Sequence, residues 1–124
     1  MRPVLLVALG GAFGSALRWA LSGAVQRWTG SPLPWGTFAV NAIGSLAIGV
    51  ITALALERAL VSPAIRAFLV PGVLGGFTTF SAYSYETFAL LRDGQWLAAA
   101  GYAGGSVAVG IAAAFGGYAL GMRL

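Results

Sequence analysis

The chain has no cysteine, no histidine and no lysine among its 124 residues. Without cysteine there is neither a disulfide scaffold nor a thiolate nucleophile. Without histidine the side chain best suited to proton transfer near neutral pH is missing. Charge of either sign is scarce, at 8% of residues, and the acids are only Glu57, Glu86 and Asp93. Carboxylates so few and scattered make no convincing general acid–base pair, so an enzyme is not expected. The basic balance is seven arginines spread along the chain, for a net charge of +4. Nucleic-acid binding needs a basic patch on a polar face, and none is present.

What is abundant is apolar surface, 59% of residues, together with 19 glycines. That composition marks an integral membrane protein, a single domain over residues 1–124. Four apolar stretches, near residues 3–25, 35–56, 67–91 and 95–122, are each long enough to cross a bilayer. The first superficially resembles a signal peptide, with Arg2, an apolar run and small residues near Ser22-Gly23-Ala24. Arg18 interrupts that run and Gly10, Gly11 and Gly14 punctuate it, so it reads as a membrane helix. Gly10 with Gly14, Gly11 with Ser15, Gly101 with Gly105 and Gly117 with Gly121 are pairs that admit a closely approaching helix. Trp19 and Trp28 suit the interfacial belt.

The third stretch carries the sequence's most telling feature, Gly72-Val73-Leu74-Gly75-Gly76-Phe77-Thr78-Thr79-Phe80-Ser81-Ala82-Tyr83-Ser84. Glycines and hydroxyl residues at this density weaken a continuous helix. A helix broken at membrane depth frees backbone groups that lipid cannot satisfy, so the break must be buried or face water. A glycine-rich packing face is the plainer alternative. The interleaved aromatics favour a functional break of the third span near mid-membrane. In the second stretch Thr37, Asn41, Gly44 and Ser45 share one helical face, and in the fourth Tyr102, Ser106 and Gly110 step by four.

Nearly all polar side chains within the spans are neutral donors: Thr37, Asn41, Thr78, Thr79, Ser81, Tyr83, Ser84, Tyr102 and Ser106, with Arg18 beside them. Acidic rings favour cations, whereas donors and arginine favour anions. Arg18 could instead snorkel to headgroups, and Asn41 could be interhelical glue. Phe80 and Tyr83 could be packing, yet a ring edge carries partial positive charge and can face a small anion. Arginines divide four (Arg2, Arg58, Arg66, Arg123) against two or three (Arg27, Arg92 and Arg18), a weak bias that permits insertion in both orientations. Four short helices cannot enclose a pore, so partner subunits must complete it.

Three segments together resemble the signatures of the Fluc (CrcB) fluoride channels. They are Gly10-Gly11-Ala12-Phe13-Gly14-Ser15-Ala16-Leu17-Arg18-Trp19, Gly36-Thr37-Phe38-Ala39-Val40-Asn41-Ala42-Ile43-Gly44-Ser45, and Gly72-Val73-Leu74-Gly75-Gly76-Phe77-Thr78-Thr79-Phe80-Ser81. The resemblance covers the whole chain. It implies an all-α, antiparallel dual-topology homodimer in the cell inner or plasma membrane, passively conducting fluoride through two pores at the subunit interface. By that resemblance Asn41 coordinates fluoride, Phe80 offers its ring edge, and Tyr83 takes the place of a second pore phenylalanine. Thr37, Ser81, Tyr102 and Ser106 line the polar path, and Arg18 sits near the aqueous vestibule. Gly75 and Thr78 offer backbone carbonyls to a structural Na⁺ on the dimer axis. Two departures stand out. Tyr83 brings a hydroxyl that donates either to the ion or to a neighbour, and Ala82 and Gly110 stand where many relatives carry hydroxyls.

Two other readings are possible. A small multidrug exporter is also short and dual-topology, but it needs a carboxylate in the first helix, where this chain has Arg18. A non-conducting assembly subunit would be organised by its glycines alone.

Overall fold

The computed structural model describes residues 2–124, and every regular element among them is helical. Four helical segments are long and apolar enough to cross a membrane: Arg2–Thr29, Trp35–Glu57, Pro63–Arg92 and Trp96–Arg123. Helix α1 (Arg2–Thr29) runs four residues beyond the expected end at Val25, because Arg27, Trp28 and Thr29 continue the turn and Gly30, at φ +61°, stops it. The two-proline connection that follows is held by Gln26. Its Nε2 donates to the carbonyls of Ser31 (2.7 Å) and Leu33 (2.8 Å), and its Oε1 accepts from the Gly36 N–H (3.0 Å).

Helix α2 (Trp35–Thr52) widens into a π-turn over Ala53–Glu57. It packs along α6 (Trp96–Arg123) at near-contact of backbones: a methyl group at Gly49 would overlap the Ala114 carbonyl, and one at Gly117 the Leu46 carbonyl. Gly121 sits against Val50 on the same seam. Gly101 and Gly105, also expected to admit a helix, have open space around them in a single chain.

The third apolar segment is assembled from four pieces. Ser62 Oγ accepts from the Ile65 N–H to cap α3 (Pro63–Ala67). A π-helical stretch follows over Phe68–Leu74 with Pro71 inside it. Proline supplies no N–H, and the wider turn accommodates the missing bond. Helix α4 (Gly75–Phe77) comes next, and then Thr78 and Thr79 adopt extended backbone at ψ 156° and 121°. Thr79 then caps α5 (Phe80–Arg92), its Oγ1 accepting from the Ala82 N–H at 3.2 Å.

The buried apolar core is small: Val40, Ala53, Phe77, Leu90 and Ala99. Large apolar side chains face outward instead, among them Trp19, Trp28, Leu97 and Phe115. A chain surrounded by hydrocarbon gains nothing by hiding leucine from its solvent, so packing of small residues replaces the hydrophobic core.

Candidate functional site

The polar face of α2 points at Thr78 and Thr79. Asn41 Oδ1 accepts from the Thr79 N–H at 2.8 Å, and its Nδ2 donates to the Thr79 carbonyl at 3.1 Å. The carboxamide thus pairs with one extended peptide as a neighbouring strand would. One turn away Gly44 leaves room for the Thr78 methyl group, which any side chain there would displace. The second N–H of the Asn41 amide remains to be donated elsewhere.

Because two residues leave the helix, the carbonyls from Gly75 to Thr78 lose the amides that a continuous helix would bring four residues later. Those amides have gone elsewhere, Thr79 N–H to Asn41 and Ala82 N–H to Thr79 Oγ1. Gly76 is served by Arg18, whose Nε donates to its carbonyl at 3.0 Å. The carbonyls of Gly75, Phe77 and Thr78 accept no hydrogen bond from the described residues. Among the described residues no group of three or more His, Cys, Asp or Glu side chains could hold a metal ion. Gly75 and Thr78 offer only neutral, hard oxygens, a donor set that suits an alkali cation rather than a transition metal.

Further along α5, Glu86 is a polar hub. Thr37 Oγ1 donates to its Oε1 at 2.7 Å, and the Tyr102 hydroxyl donates to its Oε2 at 3.0 Å. One carboxylate therefore links α2, α5 and α6. In the sequence Glu86 is one of three scattered acids, about two turns beyond the Gly75–Thr79 stretch, with no role evident. Its spacing from Tyr83 (three residues, the same helix face) was the available signal. Tyr83 lies between Phe80 and Tyr102, with ring centroids 5.6 Å from each and planes tilted by 34° and 36°. Its hydroxyl donates to the Ala103 carbonyl at 3.0 Å.

An open cleft of about 460 Å³ lies between α2, the third segment and α6. Asn41, Phe80, Tyr83 and Ser106 line it together with Gly75 and Thr78. Ser106 Oγ is buried and has no hydrogen-bond partner among the described residues. Phe80 is 78% exposed on one wall, and Ser81 is exposed beside it, its hydroxyl 3.3 Å from that of Thr79. Thr37 and Tyr102 do not line this cleft: both are bonded to Glu86, and Tyr102 borders a separate cavity of about 340 Å³. Arg18 stands behind the cleft, on the α1 side of Gly76.

A family model described as CrcB-like protein, Camphor Resistance (CrcB), matches residues 5–118. The chain belongs to the CrcB family. Among its relatives, a protein of Thermus thermophilus named fluoride-specific ion channel FluC is 54% identical over all of this chain and 98% of its own length. Proteins of the same name from Aquifex aeolicus and Chloroflexus aurantiacus are 48% and 46% identical, each match covering at least 96% of both chains. The CrcB relatives so named are channels by that name, not enzymes.

Proposed function

We propose that this protein is a passive, fluoride-selective channel working as an antiparallel homodimer, with two pores at the subunit interface. The observation that carries the reading is the cleft itself. It gathers the Asn41 amide, the unpartnered Ser106 hydroxyl and the exposed Phe80 ring around one open space. Fluoride is small and strongly hydrated, so dehydrating it requires several close donors. Neutral donors and ring edges supply them without trapping the ion as an arginine ring would. The name carried by close, full-length relatives gives the same substrate.

The cleft is open along one side in a single chain, and the apolar 18-residue stretch of each span buries at most 22% of its residues internally. A second copy would close that side and place the pore at the interface, and the weak arginine bias supports antiparallel insertion. The extended Thr78–Thr79 stretch is then a break of the third span near mid-membrane, its freed peptides held by Asn41 and Arg18. Ions pass the Asn41 amide, the Phe80 ring edge and the Ser106 and Ser81 hydroxyls. Thr37 and Tyr102 keep the Glu86 carboxylate hydrogen-bonded and so blunt its repulsion of an anion. Gly75 and Thr78, with their copies in the partner, would hold a structural Na⁺, which supplies fixed positive charge beside the pores. The setting is a cell inner or plasma membrane.

Reconstitution tests the reading. Liposomes loaded with potassium fluoride should release fluoride when a potassium ionophore is added, and chloride-loaded liposomes should retain chloride. Release of neither ion, or proton-driven export of cations, would overturn it. For the cation site, sodium-23 relaxation on detergent-solubilised dimer should report bound Na⁺ that fluoride does not displace; free-solution relaxation would remove the site.

A further inference from the structure

We propose that the Tyr83 hydroxyl is a strut and not a fluoride ligand: bonded to the Ala103 carbonyl, it fixes the ring tip so that the cleft meets ring carbon rather than oxygen. The inference rests on the channel reading above. A phenol has one proton to donate, and in Tyr83 it goes to the Ala103 carbonyl, 3.0 Å away on α6. What remains on that oxygen is lone pairs, which repel an anion. The phenolic oxygen lies on the ring's long axis, so tethering it fixes where the tip sits. The plane is set by Phe80 and Tyr102, stacked at 5.6 Å on either side. Ser106, lining the same cleft, is in the opposite condition, with a buried hydroxyl that has no partner among the described residues. The two hydroxyls therefore divide the work: Tyr83 holds the wall and Ser106 keeps its proton for an ion.

Tyr83 is on this account a positioning residue, acting through the ring ladder. Tether loss in a membrane interior is worth about three- to tenfold in the population of the tethered arrangement. In full-length protein in liposomes, Tyr83→Phe should lower fluoride flux by about that factor. Half-saturating fluoride should stay unchanged and chloride leak should rise, since a loosened wall excludes the larger ion less well. Replacement by 4-aminophenylalanine, which restores a donor at the ring tip, should recover flux and exclusion. A carbon-13 label on the ring carbon bearing the Tyr83 hydroxyl should not shift in the parent protein as fluoride is raised to saturation.

Three results would overturn the strut: a fluoride-dependent shift of that resonance, a raised half-saturating fluoride with chloride still excluded, or parent-like behaviour of Tyr83→Phe. If Tyr83→Phe fails to assemble, the resonance in the parent decides alone. A parent that passes no fluoride would remove the channel reading and the strut with it. A conducting parent matched by Tyr83→Phe removes only the strut.

Discussion

The two halves of the third segment are attached to the molecule by different physics. The first half, up to Phe77, lies against α1 with almost nothing between the backbones. Methyl groups at Gly10 or Gly14 would run into the Phe68 or Val73 carbonyls, and one at Gly76 would press on Gly11 and Ser15. The second half, α5, buries only Leu90. It is held by directed bonds: Asn41 to Thr79, Thr37 and Tyr102 to Glu86, and Tyr83 to Ala103. Close packing is all-or-none and gives a rigid brace. Hydrogen bonds fix direction and leave the face between them open, and that open face lines the cleft. In the proposed channel the third segment's own ion-facing residues, Phe80 and Ser81, therefore belong to its tethered half, standing on a packed one.

Overfilling the packed half should have the largest effect. Gly14→Leu puts a side chain into the Val73 carbonyl and should abolish recovery of monodisperse protein in detergent. A normal elution profile with normal flux would dissolve the contrast. Removing the main tether comes next. Asn41→Leu strips the Thr79 N–H and carbonyl of their partners, a loss of about 1–3 kcal/mol for each group left unsatisfied. Fluoride flux should fall by at least about thirtyfold, the lower bound for two such groups at about 1.4 kcal/mol per tenfold, while the protein still elutes as the parent does. Loss of assembly instead would show that the second half is packed like the first. Glu86→Gln is milder, since a neutral amide oxygen still accepts one of the two hydroxyls. Flux should drop by about three- to tenfold, the charge-assisted part of those bonds; an unaltered rate would leave the hub without a function. The smallest effect belongs to Gly11→Ala, where the added methyl finds only the Gly72 carbonyl, at 3.9 Å. Stability should change by less than about 0.5 kcal/mol, and a large loss would show that the brace is not confined to the Gly10–Gly14 stripe.

Much of this was legible from residue order because it is local. The four spans follow from run length, and the α1 glycines at positions 10 and 14 announced a close neighbour. The shared face of Thr37, Asn41 and Gly44 follows from helical period, and the structure turns all three toward the third segment. What escaped the sequence depends on contacts between distant residues. Glu86 looked incidental until Thr37 and Tyr102, 49 and 16 residues away, proved to converge on it. Arg18 was expected near an aqueous vestibule, and only the fold reveals the Gly76 carbonyl within its reach, 58 residues on. The π-turns at Ala53–Glu57 and Phe68–Leu74 have no periodic signature over so few residues. The Tyr83 hydroxyl had two possible partners, and spacing alone could not choose the Ala103 carbonyl.

The most direct measurement is the reversal potential of the purified protein in a planar bilayer, with fluoride on one side and chloride on the other at fixed pH. A passive fluoride channel should give a current that reverses far toward the fluoride equilibrium potential and is unmoved by a pH gradient. Reversal near zero under that bi-ionic gradient, or a potential that follows the proton gradient, would contradict fluoride-selective conduction.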